Sequence, residues 1–452
     1  MPDVIHDLYE KQAYPPMSHP LSDPAVSAVA ARLGGLEVPH PRRARILEIG
    51  CCSGHNLIPL AMRWPESEFV GIDLAETSIR EAGDRAAAAG VENVVFHAAD
   101  LRDYQPDGRP FDFIVAHGFF SWVPDEVKAS LLAFCRKHLS PSGIATLSFN
   151  LECGWKPRWP VIEKVRAIQQ ATGVDTITGL EMFKSIVVAD GPEIAIINDM
   201  LAKGPSILAF DDFAPVNDPW PLDRFAQAAA KAGLRWLGES DPGENFPTCL
   251  SEESIRRLQC QTNNPLEFQL VMDEAASRTF RSGLLCRDDA VVADQIPLEG
   301  VWDFSLRVAK KPLDPLAMEI HRIFESFAPA CVPAEVVKAA LPDIDIRMLA
   351  RKISDGIAHG WIRPRIEPMS YEPAPQEFPK LDAFRMLCAQ QGLPLVDAWH
   401  ASCAFPVAHY FILSAMSGSR SQAELAEFSK IHCPELAFEP WLRHLARRGM
   451  FT

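Results

Sequence analysis

Leu47-Glu48-Ile49-Gly50-Cys51-Cys52-Ser53-Gly54-His55-Asn56 is the stretch on which the fold turns. Arg45 to Ile49 reads as a short apolar strand, and the chain from Leu57 to Met62 as a helix. A strand, a turn of small residues and a helix put free backbone N–H groups and a partial positive charge at one spot, a cradle for an anionic group. A dinucleotide turn needs glycine at 50, 52 and 55, where this chain has Gly50, Cys52 and His55. Cys52 would crowd a pyrophosphate, and His55 would hold helix and strand apart. The spacing glycine-x-small-x-glycine suits instead a ligand with a carboxylate and no pyrophosphate, such as S-adenosylmethionine.

Outward from the turn, strands and helices alternate. Glu68–Ile72, Asn93–His97, Phe111–Ala116 and Gly143–Phe149 read as strands. Between them lie one helix that Thr77 caps, running to Ala89, and another that Pro124 starts, running to His138. This order predicts a doubly wound, mostly parallel sheet whose ligands bind beyond the carboxyl ends of the strands. Leu234–Leu237 and Phe280–Cys286 bring the strands to seven. Asp73 ends the second strand, placed to accept both hydroxyls of a ribose. Asp100 follows the third, placed to accept from an adenine amino group. Leu74 and Leu101 flank the two acids in the cofactor set.

Residues 155–215 read as a helical insertion capping the sheet, so that 1–295 forms the cofactor-binding domain. Pro297 to Pro315 reads as a linker into a second unit, 296–370. There Leu316, Ile320, Phe324 and Phe327 share a helical face, Pro333 and Ile346 start further helices, and Gly356–Ile362 would be the wing of a winged helix. A third, helical and winged-helix-like unit fills 371–452, with a faint repeat of this pattern at 405–450.

Composition narrows the function. The chain of 452 residues is 48% hydrophobic and 23% charged with net charge −15, which excludes disordered classes and argues against coating nucleic acid or anionic membrane. Residues 301–452 hold 17 basic and 17 acidic residues, so the winged-helix-like units lack the basic face of a nucleic-acid module. The 11 cysteines include no C-x-x-C pair and no zinc spacing, so no metal is expected and the thiols read as reduced, in the cytoplasm. Met1 to Glu10 carries three acids and no apolar core, unlike a leader. Ala398 to Ser419 is uncharged and long enough to cross a bilayer, but Pro406 interrupts it; it reads as a core helix without membrane insertion.

Tyr14-Pro-Pro-Met-Ser-His-Pro20, Leu47–Cys51, Asn56-Leu-Ile-Pro-Leu-Ala61, Gly71-Ile-Asp-Leu74, Ala116-His-Gly118 with Ser121-Trp-Val-Pro124, and Gly154-Trp155 together resemble one family. It is the bacterial class I S-adenosylmethionine-dependent methyltransferases that carry a methyltransferase regulatory domain. Rickettsial protein-lysine methyltransferases acting on outer-membrane proteins belong to that group. The resemblance is dense over about residues 1–160. It continues weakly through Asn217–Leu237, Arg278–Arg281, Leu284–Arg287 and Ser417–Arg420. It implies an α/β, Rossmann-like methyltransferase domain, with 296–370 as the regulatory domain, and S-adenosylhomocysteine as product. It also implies cofactor roles for Gly50, Cys52, Gly54, Asn56, Asp73 and Asp100, places His117 to Trp122 beside the transferred methyl group, and makes a protein lysine the acceptor. Cys52, Phe120 and Phe149 depart from the residues usual in relatives.

Methyl transfer is an in-line displacement in which the protein supplies proximity and an electron-rich nucleophile. A lysine must first lose its proton, by desolvation or to a base. His117, which also touches the cofactor set, is the candidate base, and Trp122 the second catalytic candidate. Phe119, Phe120 and Trp122 would form an apolar wall. Tyr14 and His19 would close over the cofactor, and Trp155 would line the substrate groove. The acceptor class stays open between a protein lysine and a small molecule or natural product. A catalytically weak cofactor-binding interaction protein is the alternative of another kind. A homodimer is compatible with the sequence.

Overall fold

The computed structural model describes residue 10 and residues 14–188, 191–245, 250–262, 264–293 and 298–452. The reading of Met1 to Glu10 (residue 10 apart), the boundary at 295/296 and the linker start at Pro297 lie outside the described residues. Seven strands form one sheet: β1 Arg45–Ile49, β2 Glu68–Asp73, β3 Val94–Ala98, β4 Phe111–Ala116, β5 Leu139–Asn150, β6 Leu234–Glu239 and β7 Phe280–Arg287. Their order is β3-β2-β1-β4-β5-β7-β6. The first five run parallel, and β7 runs antiparallel to both β5 and β6. The sheet is therefore the doubly wound, mostly parallel, Rossmann-like one. Strand order reverses between β1 and β4, which opens a crevice at their carboxyl ends.

The apolar side chains of β1 are buried on both faces, as a central parallel strand requires. Glu48 is the exception, a carboxylate at 4% exposure within that strand. On β2, a Cβ at Gly71 would come within 2.6 Å of Phe96 and 2.8 Å of Cys51 Sγ. The missing side chain lets the Phe96 ring lie across the sheet under the turn.

The helix after β2 spans Glu76–Ala88 with Ala75 at its cap position, so Thr77 is inside it rather than capping it. Asp73 already accepts from the Ala75 N–H, and the Thr77 hydroxyl bonds Glu10. Five helices, Glu152–Trp155, Trp159–Thr172, Thr176–Ile186, Pro192–Lys203 and Pro205–Phe210, form the expected cap around their own apolar core.

The expected linker contains a strand. β8 Ser305–Val308 is the centre of a three-stranded antiparallel sheet with β9 Val332–Pro333 and β10 Ile362–Arg365. Phe304 and Leu306 are buried there, a short apolar signal overshadowed by the neighbouring Lys and Pro residues. Helices Pro315–Glu325 and Ile346–Ala358 pack on this sheet, and Val336–Ala340 packs against both of them. Phe327 falls beyond the first and is exposed, and Gly356 lies inside the last rather than in a wing. Ala398–Ser419 is not one core helix. Ser402–Cys403 pairs with Leu395–Val396, and Pro406 starts a helix of seven residues, Val407–Leu413. No described helix is long and apolar enough to cross a membrane. One apolar cluster runs from Ala28 and Ile46 through Leu306 and Ile320 to Phe384 and Leu442, joining the sheet to both carboxyl-terminal units without a break.

Candidate active site

The crevice is a cavity of about 810 Å³, within the range that encloses a nucleoside-sized ligand. The turn after β1, the end of β2 and the loop after β3 all line it. Gly50, Cys52 and Gly54 have φ of 75°, 46° and 74°. Cys52 is thus a non-glycine residue in left-handed backbone, a strained position. Its N–H donates to Asp73 Oδ2 at 2.8 Å, while Oδ1 accepts from Ala75 N–H at 2.9 Å. Each carboxylate oxygen keeps a lone pair for a ligand. Burial pushes the Asp73 pKa up, against the pull of these backbone donors. Gly50 and Cys52 are on the wall, but Gly54 is not. A Cβ at Gly54 would sit 2.9 Å from Phe96 and 3.0 Å from Ile58, so that glycine serves the packing beneath the turn.

Asn56 reaches the wall with its side chain fully committed. Its Nδ2 donates to Glu48 Oε1 at 2.7 Å. Its Oδ1 meets His19 N–H at 2.9 Å, the Ser22 hydroxyl at 3.0 Å and His400 Nε2 at 2.8 Å. Glu48 was not among the residues singled out from the sequence. Burial raises its pKa to about 8, and its Oε2 is buried without a hydrogen-bond partner, on a residue that lines the cavity. The available signal was an acid in the middle of an otherwise apolar strand. Asp100 lines the cavity but is paired with Arg102, which donates through Nη2 at 2.6 Å and holds the carboxyl below its usual range. Leu74 and Leu101 are on the wall as well.

His117, just past β4, stacks on His19 with ring centroids 3.9 Å apart and lies 5.5 Å from Phe280. Burial lowers His117 well below the ordinary imidazole value and His19 to about 4, so both rings are neutral near pH 7. His117 Nδ1 is buried and unbonded. Phe119 packs over Gly50 on the wall. Phe120 is a correction: it is fully buried away from the cavity, against Phe149, Trp220 and Phe225. The short helix Phe120–Trp122 turns its first side chain into the sheet's core and Trp122 outward. Trp122 meets Trp155 edge to face at 6.1 Å, and the Trp155 indole donates to the Thr279 carbonyl. Tyr14 meets Phe210 of the cap edge to face, so the amino-terminal segment and the cap close over the crevice together. The cap also brings Asp199 and Asp211 to the wall, acids no sequence pattern marked.

The orphaned Glu48 Oε2 offers an acceptor to an ammonium group. With the free lone pairs of Asp73, this donor and acceptor set fits the amino-acid and ribose portions of S-adenosylmethionine. A methyltransferase domain family matches residues 46–143, and a family described as a predicted methyltransferase regulatory domain matches 204–287. An uncharacterised protein of Rickettsia prowazekii (strain Madrid E) is 36% identical over 223 residues, 49% of this chain and 80% of the relative. Another from the same organism is 27% identical over 326 residues, 69% of this chain, and the chain spans only 58% of that relative's length. The structure of PKMT2 from Rickettsia typhi in complex with AdoHcy superposes with a TM-score of 0.81 at 20% identity, covering 97% of this chain and 99% of that one.

Proposed function

The chain belongs to the class I S-adenosylmethionine-dependent methyltransferases that carry a methyltransferase regulatory domain, and we propose that the group it methylates is a protein lysine amine. S-adenosylmethionine, its cofactor, supplies when bound an activated methyl on a sulfonium centre. In this reading Glu48 accepts from the ammonium of the cofactor, Asp73 takes the ribose, and Asp100 with Arg102 borders the adenine.

The observation that carries the acceptor class is the charge of the wall: among the described residues it holds six carboxylates against three Lys and Arg cations. Arg158 and Lys203 are moreover neutralised within the cap by Asp212 and its neighbours. An ammonium entering past Glu126 along this net negative wall is attracted, whereas an acidic metabolite is repelled. Trp122 and Phe119 then strip water from the amine, which lowers its pKa and releases its proton toward solvent. A neutral His117 in a site that disfavours imidazolium keeps a proton poorly. It acts as a hydrogen-bond acceptor through Nδ1, fixing the direction of the amine lone pair. The near full-length likeness to the Rickettsia typhi protein supports a macromolecular acceptor, as does the earlier resemblance to protein-lysine methyltransferases. We take the units 296–370 and 371–452 as docking elements for that acceptor. Incubating the protein with bacterial lysate and methyl-tritiated cofactor tests this reading. Label should appear in protein and survive acid hydrolysis as methyl-lysine; label confined to the small-molecule fraction would refute it.

A further inference from the structure

We infer that His400, from the carboxyl-terminal unit, is a positioning residue for the aminoacyl end of the cofactor, acting through Asn56 on Glu48. The inference rests on the cofactor reading and adds a contributor from far along the chain. His400 is wholly buried and places Nε2 at 2.8 Å from Asn56 Oδ1. An amide oxygen only accepts, so Nε2 carries the hydrogen and Nδ1 is bare; Nδ1 indeed has no partner.

Three donors thus converge on one oxygen: His400 Nε2, the His19 N–H and the Ser22 hydroxyl. Turning the amide over would set its NH₂ group against the His19 N–H, which can only donate, and would force the other His400 tautomer. The orientation of Asn56 is therefore forced, with Nδ2 aimed at Glu48 Oε1. That bond immobilises the Glu48 carboxyl and leaves Oε2 as the oxygen without a partner, on a residue that lines the cavity. His400 itself is held in left-handed backbone at φ 64°, with its N–H bonded to the Asp397 carbonyl. Strain of this kind persists only where the surroundings over-determine it. The neighbouring turn residue is gripped from the same unit: the His55 ring lies 5.3 Å from Phe384, and its Nδ1 4.0 Å from Cys388 Sγ. The same unit also anchors the amino-terminal segment, through Ser402 Oγ accepting from Ser18 N–H. The cofactor turn is thus completed by residues more than 300 positions away.

Two amide substitutions separate positioning from bulk packing. His400→Asn tolerates the left-handed backbone but is too short to reach Asn56; His400→Gln places its amide nitrogen near the former Nε2. Titration calorimetry would measure S-adenosylhomocysteine, which has the aminoacyl group, and 5′-methylthioadenosine, which lacks it. In His400→Asn the first should weaken by about tenfold, the scale of one buried hydrogen bond in a charged network. The second should change less than about twofold, and His400→Gln should restore most of the loss. Equal losses for both ligands, or no loss for either, would overturn the relay. Failure of the wild-type protein to bind either ligand would overturn the cofactor reading and this inference with it. A His400→Asn chain that does not fold leaves His400→Gln decisive: wild-type affinity for both ligands supports the relay, and unselective loss refutes it.

Discussion

Glu48 is the residue whose protonation should change on binding. Burial first, and Asp73 beside it, raise its pKa to about 8, so the protonated form predominates at pH 7 without ligand. An ammonium against Oε2 favours the carboxylate, so binding should release close to one proton near pH 7. Calorimetry with S-adenosylhomocysteine in buffers of different ionisation enthalpy measures that number directly. In Glu48→Gln the release should vanish and affinity should fall; an unchanged release would place the titrating group elsewhere. The sign for stability follows the same shift. A carboxyl whose folded pKa is raised favours the fold at low pH, and that contribution is lost as pH rises from the ordinary carboxylate range through about 8. Glu48→Gln should therefore melt less steeply with pH across that window. His117 separates two roles by magnitude. Loss of an aligning hydrogen bond in His117→Ala should lower kcat about tenfold, with cofactor affinity nearly unchanged, whereas a general base would lower it by about a hundredfold or more. Single-turnover kinetics with a lysine peptide decides between them.

The turn after β1 is the element that sequence and structure share most fully, and it also shows where reading a sequence stops. Glycine spacing there, together with Asp73 and Asp100 at the next two strand ends, pointed to the cofactor class, yet the two glycines do different work. Gly50 is on the wall, while Gly54 makes room for Phe96, Ile58 and Ala82. Gly54→Ala should cost about 1–3 kcal/mol of stability, from overpacking and left-handed strain together. Its effect on cofactor affinity should stay small once folding is corrected for; urea denaturation and calorimetry on the same variant test both halves. The parallel strands were legible because they are continuous apolar runs at regular spacing. β8 was not, since its alternation over Phe304, Leu306 and Val308 is short and runs straight into the polar stretch Lys310-Lys311. Phe120 and Trp122 are two residues apart on one short helix, and only packing against Phe149 and Phe225 decides which ring faces the core. Glu48 and His400 were beyond a local reading for a simpler reason. Their roles exist only where a strand, a turn and a segment more than 300 residues on converge.

At the scale of the whole molecule, the amino-terminal segment is fastened to the carboxyl-terminal units by one buried ion cluster. Asp23 Oδ2 accepts from Arg63 Nη1 and from Arg365 Nη1, each at 2.8 Å, and Arg63 also donates to the Ala398 carbonyl. Burial pushes the Asp23 carboxyl up, but Arg365 and Arg63 more than offset it and hold the pKa far below the ordinary range. Its contribution is therefore complete above the ordinary carboxylate range and is lost as pH falls toward the folded value. Asp23→Asn keeps the shape but leaves two enclosed guanidinium groups without their counter-ion, a loss of about 3–5 kcal/mol. Because one apolar cluster runs through the sheet and both carboxyl-terminal units, that loss should not free a single unit. Guanidinium chloride unfolding followed by tryptophan fluorescence and by circular dichroism should shift to lower denaturant as one coincident transition, in wild type and variant alike. A separate early transition for the carboxyl-terminal part would show that it folds independently. His400 would then sit on a mobile partner, and the cofactor turn would lose one of its three fixed donors whenever that partner opened.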